Sequence, residues 1–216
     1  MKLQYMGHGC FRIISEMGTT IVCDPFNSQM VGIDLPKIGC DVVTISHHHD
    51  DHDCLDSIKG NPAQLDGEIS CLADDVVVDS FASFHDKQKG KLRGTNHVFR
   101  FVVDGISVVH MGDIGELNLQ LVDKIAGCDV LLLPVGGTYT VDATDAKWYV
   151  DRVCPKIVVP MHYKTPMHNF EIDTVESFLH LFDDQDVVRH ASETLVLNDV
   201  PTNQTTKVIT LEIYQD

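Results

Sequence analysis

Short apolar runs broken by glycine-containing or polar turns fill the first half of the chain. "KLQYM", "CFRII", "TTIVC" and "DVVTIS" have the composition and length of strands. "EISCLA" and "VVVDSFASF" continue in that style, and "HVFRFVV" with "ISVVHM" forms a hairpin pattern turned at Asp104-Gly105. The rhythm then changes. "LNLQLVDKIAG" has helical spacing and a stop at Gly127, "DVLLLPV" reads as a buried strand, and "DATDAKWYVDRV" as a helix capped near Asp142. "KIVVPMH" is a second buried strand and "DTVESFLHLF" a further amphipathic helix, before "ETLVL" and "KVITLEIY" return to strands. Strands, then alternating helix and strand, then strands predict an α/β fold in which two packed sheets carry helices outside. No linker or repeat interrupts residues 1–216, so a single domain is expected.

Composition narrows this picture. The chain has 216 residues, 44% hydrophobic and 22% charged, enough to bury a core without disulfides or a structural metal. A metal here is therefore expected to serve chemistry. The net charge of −16 disfavours nucleic acid and membrane partners and leaves a small-molecule substrate as the expected partner. Bound divalent cations would still make one site locally attractive to anions. Seven cysteines, an odd number with no CxxC, read as reduced thiols. The start "MKLQYMGHGC" lacks the apolar core of a signal peptide and no stretch is long enough to span a bilayer, so a cytoplasmic location is expected. The oligomeric state is not readable.

The concentrated chemistry lies in "ISHHHDDHD", Ile45 to Asp53, immediately after a strand. Alternation along an extended chain puts His47, His49 and Asp51 on one side, with His48 and Asp50 on the other. A turn after Asp51 lets His52 diverge from the same point, giving H-x-H-x-D-H; the opposite register would place His48 and Asp50 inward. Clustered imidazoles and carboxylates become compatible when divalent cations neutralise them, and nitrogen with carboxylate oxygen suits Zn²⁺, Mn²⁺ or Fe. A solvated polar turn is the competing reading. Other strand ends carry ligand types too: His85 in "SFASFHD", His110 and Asp113 in "ISVVHMGD", and His162 in "KIVVPMH". Functional residues gather at carboxyl ends of strands in α/β folds.

These motifs resemble those of the metallo-β-lactamase superfamily, in its branch of small cytoplasmic Zn-dependent hydrolases. That branch includes ascorbate-phosphate lactonases and, more distantly, N-acyl-phosphatidylethanolamine phospholipase D enzymes. "IVCDP" is similar to the early Asp motif, "HHHDDH" to the signature tract, "FHD" to the third motif, "HMGD" to the bridging-acid motif and "PVGGTYT…VPMHYKT" to the C-terminal metal motif. The resemblance implies a four-layer αββα sandwich with two divalent ions, zinc first and manganese or iron as alternatives. It implies that His47, His49 and His85 hold one ion, that Asp51, His52 and His162 hold the other, and that Asp113 bridges them. Between His85 and His110 for the third imidazole, His85 is preferred: His110 lies three residues before Asp113, so the two face opposite sides of an extended strand. His110 is then a supporting residue.

The implied activity is hydrolysis of an ester, lactone or phosphodiester by a metal-bound hydroxide, with Asp51 orienting the nucleophile or taking its proton. Asp24 is expected to fix a ligand imidazole's tautomer, with a turn role before Pro25 as the alternative. His8 lies near the mouth on this reading, or serves structure alone. Arg93 and Lys164 are candidates for an anionic substrate group, set against a solvated role for each. Gly136-Gly137 with Thr138 reads as a loop of close backbone approach, and the helix bearing Trp148 and Tyr149 as core. Two other classes compete: a redox diiron protein, whose branch has a carboxylate where His49 stands here and a flavin domain that this sequence lacks, and a metal-binding module without catalysis.

Overall fold

The computed structural model describes residues 1–73, 75–198 and 205–215. The first part runs β1 (Lys2–Gly7), β2 (Cys10–Ile14), β3 (Thr20–Cys23), the one-turn helix α1 (Ser28–Val31), β4 (Ile38–Gly39), β5 (Val42–Ile45), β6 (Ile58–Lys59) and β7 (Ala63–Asp66). Then come β8 (Ser70–Ala73), β9 (Val76–Phe84), β10 (Thr95–Val103), β11 (Ile106–His110), α2 (Leu119–Ile125), β12 (Val130–Pro134), α3 (Ala143–Val153) and β13 (Ile157–Met161). The last part holds α4 (Glu176–Leu179), β14 (Val187–Arg189), β15 (Thr194–Val196) and β16 (Lys207–Thr210).

One sheet has the order β15-β1-β2-β3-β5-β7 and the other β14-β16-β13-β12-β11-β10-β9-β8, with β4 and β6 as a separate pair. Strict alternation along the strands assigns each side chain to a layer. Val130 and Leu132 of β12, Ile157 and Val159 of β13, Leu3 and Tyr5 of β1 and Phe11 and Ile13 of β2 all enter the core between the sheets. The intervening Leu131, Leu133 and Val158 face the other way, onto Leu121, Ile125, Ala146, Val150 and Phe178 of the helices. On the outer face of the six-stranded sheet, Met6, Cys10 and Val22 are covered by Phe26, Val31, Ile33 and Leu35. The layers are thus helix, sheet, sheet, helix, with the first outer layer reduced to α1 and its flanking coil.

Most predicted elements are present. The β10–β11 hairpin turns at Asp104-Gly105, with Val103 opposite Ile106. Asn118 and Asp142 cap α2 and α3 by accepting from the Leu121 and Asp145 amides. The helix expected over "DTVESFLHLF" is confined to Glu176–Leu179: Val175 offers no side-chain cap, and Phe178 and Leu179 bury after a single turn. The strand expected over "KVITLEIY" ends at Thr210; the Tyr214 amide instead donates to the Tyr5 carbonyl. Strand β7, "AQLD", has no apolar alternation and exists through parallel pairing with β5.

In the eight-stranded sheet β11, β12, β13 and β16 run parallel, and in the other β3, β5 and β7 do. The carboxyl ends of β3, β5, β11 and β13 therefore open at one rim. No described helix is long and apolar enough to cross a membrane.

Candidate metal centre

The tract after β5 leaves the sheet and turns back at His49, whose carbonyl accepts from the His52 and Asp53 amides at 2.7 and 3.0 Å. His47, Asp51 and His52 are buried and His49 half-buried, whereas the His48 side chain is 67% exposed and pairs with Asp53 at 3.2 Å. His85 follows β9, Asp113 follows the end of β11 and His162 follows β13, all three buried.

Three groups of ligand atoms each lie within 4.8 Å of one another among the described residues: His47, His49 and His85; His8, Asp51, His52 and His162; and Asp24, His47 and His52. Asp113 stands between the first two. Its Oδ2 is 3.4 Å from His85 Nε2, 3.2 Å from His162 Nε2 and 3.9 Å from His47 Nε2, and its Oδ1 is 3.2 Å from His52 Nε2. The Asp113 amide donates to Asn96 Oδ1 at 2.8 Å, which fixes the approach of this loop.

The third group is a support. Asp24 Oδ1 accepts from the Ser46 amide at 2.8 Å, and Oδ2 accepts from Ser46 Oγ at 2.5 Å and from His52 Nδ1 at 2.9 Å. Since the Ser46 hydroxyl gives its only proton to Asp24, it accepts from His47 Nδ1 at 2.9 Å. One carboxylate thereby sets the tautomer of two imidazoles and leaves both Nε2 atoms facing Asp113. Asp24→Asn should accordingly weaken zinc binding by about 10–100-fold, read by chelator competition on protein whose circular dichroism is unchanged.

His8 is a member of the second group. Its Nε2 donates to Asp51 Oδ2 at 3.2 Å, and its Nδ1 accepts from His168 Nε2 at 2.8 Å. His168, in "PMHNF", escapes sequence reading because it follows no strand; only the fold brings it to His8. His8, Asp24 and His162 all have positive φ (54°, 46° and 52°), strained backbone of the kind that concentrates at functional sites. His110 stands apart: its Nδ1 accepts from the Gly112 amide at 3.2 Å, so Nε2 carries the proton and donates to the Gly9 carbonyl at 2.7 Å. It ties β11 to the turn that carries His8. Lys164 is likewise engaged, donating to the Phe170 carbonyl at 2.7 Å and to Glu171 at 3.1 Å, and it does not line the cavity. Arg93 does line it.

Burial and mutual charge divide the protonation states. Burial lowers His8, His47 and His85, His47 to about 3, so these rings are neutral at neutral pH, the form in which an imidazole can bind a metal. Burial would raise Asp113, yet His162 and His52 hold it well below the usual carboxylate range. Burial would likewise raise Asp51, which the His8 hydrogen bond and the His52 charge outweigh. His52 goes the other way: burial opposes its charge, but Asp113, Asp24 and Asp51 raise it well above an ordinary histidine. An ion held by His52 would have to displace this proton.

The donor set fits a transition metal. His47 Nε2, His52 Nε2 and His162 Nε2 are buried with no well-aligned hydrogen bond among the described residues, the Asp113 carboxylate lying 3.2–3.9 Å from each. Each such atom costs about 1–3 kcal/mol unless something binds it, and imidazole nitrogen with carboxylate oxygen is the ligand chemistry of zinc, manganese or iron. The groups open into a cavity of about 480 Å³, lined by His49, Asp51, His85, Asp113 and a wall of Arg93, Tyr139 and Phe170.

Known proteins place this arrangement. The profile of the Beta-lactamase superfamily domain matches residues 2–162. A UPF0173 metal-dependent hydrolase of Natranaerobius thermophilus is 31% identical over 188 residues, spanning 76% of this chain and 84% of its own. A structure from Thermotoga maritima, assigned to the Zn-dependent hydrolases of the metallo-β-lactamase superfamily, aligns over 98% of this chain and 99% of its own, with 36% identity and a TM-score of 0.80. A diiron β-hydroxylase of Streptomyces venezuelae shares the fold alone, at 17% identity and a TM-score of 0.52 over 74% of this chain and 44% of its own. The family profile over residues 2–162, the relative at 31% identity and the Thermotoga structure aligned over nearly the whole chain show, with the buried His/Asp cluster, that the chain belongs to the metallo-β-lactamase superfamily, among its metal-dependent hydrolases.

Proposed function

We propose that the protein is a binuclear metal-dependent hydrolase that cleaves an ester, lactone or phosphodiester bond in a small substrate. The observation that carries this reading is the position of Asp113, one buried carboxylate within 3.2–3.4 Å of imidazole nitrogens of both ligand groups. His47, His49 and His85 would hold one ion and Asp51, His52 and His162 the other, with Asp113 between them. Zinc is the first choice for this set, with manganese and iron accepted by the same ligands.

Two such ions supply Lewis acidity, making a water acidic near neutral pH and polarising the oxygen of the scissile group. The chain's own residues arrange the rest. Asp24 and Ser46 keep the His47 and His52 rings oriented. Asp51 borders the cavity, where it orients the attacking water or takes its proton, and the His8 hydrogen bond keeps it ionised. The cavity volume suits a small molecule.

The test is elemental analysis of protein purified without a histidine tag, alongside His49→Ala, followed by assay on ester, lactone and phosphodiester panels. About two zinc or manganese ions per chain, reduced in the variant, with turnover of one panel, is the expected result. Iron with visible absorbance would move the reading to redox chemistry, and absence of bound metal after reconstitution would end it.

A further inference from the structure

Among the described residues Arg93 is the only lysine or arginine lining the cavity, and Asp50, Asp51 and Asp113 line it as well. The sequence holds 32 acidic and 16 basic residues, so acidic partners are abundant, yet Arg93 is half-buried with no carboxylate partner among the described residues. Its guanidinium carbon lies 5.3 Å from the centroid of the Tyr139 ring. A cation over an aromatic ring is held by the ring's quadrupole, and a guanidinium so held still presents N–H donors to an anion.

The position is built. Asp86 Oδ1 accepts from the Gln88 and Gly90 amides at 2.7 and 3.1 Å, and Oδ2 from the Leu92 and Arg93 amides at 2.9 and 2.8 Å. One carboxylate thus winds the loop after His85 into a fixed coil that delivers Arg93 to the rim. Across from it, a tight turn places Tyr139, whose amide donates to the Gly137 carbonyl at 2.6 Å. Its ring meets Phe170 edge-on at 5.9 Å, and Lys164 holds the Phe170 carbonyl. Tyr139 and Phe170, with Met30, make the apolar part of the lining.

We propose that Arg93, seated on Tyr139, is the specificity site for an anionic oxygen group, a carboxylate or phosphate, borne by a substrate whose apolar body lies along Tyr139 and Phe170. The proposal rests on the hydrolase reading above and narrows it: the bond cleaved belongs to a molecule with a second, non-reacting anionic end. The planar fork of Arg93 engages that end in bidentate fashion, and the scissile group is thereby turned toward Asp51 and Asp113.

The test compares hydrolysis of neutral 4-nitrophenyl acetate and anionic mono-(4-nitrophenyl) succinate by zinc-loaded wild type, Arg93→Gln and Arg93→Lys. The ratio of kcat/KM, anionic over neutral, should fall about tenfold or more in Arg93→Gln, mainly through KM, with partial recovery in Arg93→Lys. A second readout needs no turnover: phenylglyoxal labelling of Arg93 in the purified wild type, followed by mass spectrometry, should slow when succinate is added. Hydrolysis with an unchanged ratio would overturn the proposal. Without hydrolysis of either ester, succinate protection would keep the anion site and leave the hydrolase reading to the lactone and phosphodiester panels, whereas no protection would overturn the anion site.

Discussion

On the binuclear proposal, Asp113→Ala should leave at most one divalent ion per chain where the wild type should hold about two, and should lower kcat/KM on any hydrolysed substrate by at least about a thousandfold. The size follows from the position of this carboxylate, within 3.2–3.4 Å of His52, His85 and His162 and shared by both ligand groups. Losing several kcal/mol of charge stabilisation suffices, since about 4 kcal/mol is a thousandfold in rate. Metal-free protein supplies a second reading of the same variant. With Asp113 gone, the charge on buried His52 loses its largest favourable partner, and breaking a buried pair costs about 3–5 kcal/mol. Chemical denaturation of metal-free Asp113→Ala near neutral pH should therefore show lower stability than metal-free wild type. Full metal content together with wild-type turnover would remove Asp113 from the centre altogether.

Gly115→Ala and Gly136→Ala should each destabilise the protein by about 2–3 kcal/mol, lowering Tm by several degrees, and each should disturb a different ion site. A Cβ on Gly115 would stand 2.4 Å from the His85 carbonyl carbon, and one on Gly136 would stand 2.2 Å from the His162 carbonyl oxygen. Both neighbours are backbone, so no side chain can swing away, and the strand end carrying the histidine must shift. Gly115→Ala then weakens the site holding His85, and Gly136→Ala the site holding His162. Gly39→Ala is the control, because a Cβ there meets nothing within 4 Å. Thermal melts and stoichiometric zinc titrations of the three variants decide the matter; equal behaviour of all three would mean that the backbone gives way freely at both positions.

The legible parts of this molecule were those written in local period. Unbroken apolar runs in β12 and β13 announce strands covered on both faces, and the alternation within "HHHDDH" separates exposed His48 from His47 and His49. Non-local geometry was opaque. His85 and His110 each stand at the end of an apolar run; His85 has already left β9 and joins the cluster, whereas His110 is still inside the sheet and is consumed by Gly9. His8 lies between two glycines with no periodic signal, and its partners Asp51 and His168 are distant in sequence. The amphipathic spacing after Asp173 promised a longer helix than α4, because periodicity records which residues bury and not how many turns the neighbouring elements leave room for. Sequence offers Arg93 and Lys164 alike as anion-binding candidates or solvated cations; the Asp86-wound loop brings Arg93 to the cavity, while Lys164 is engaged by Phe170 and Glu171.

The candidate ligands come from both sheets: His47, His49, Asp51 and His52 follow a strand of the six-stranded sheet, and His85, Asp113 and His162 follow strands of the eight-stranded one. An ion gripped by His52 and His162 together would close a loop of about half the chain, and clips that close long loops restrict the unfolded ensemble most. Metal occupancy would then govern persistence as well as turnover. A chain starved of its ion would open more often, and proteases that sample the opened state would clear it sooner, so cellular metal supply would set the abundance of this protein through its degradation.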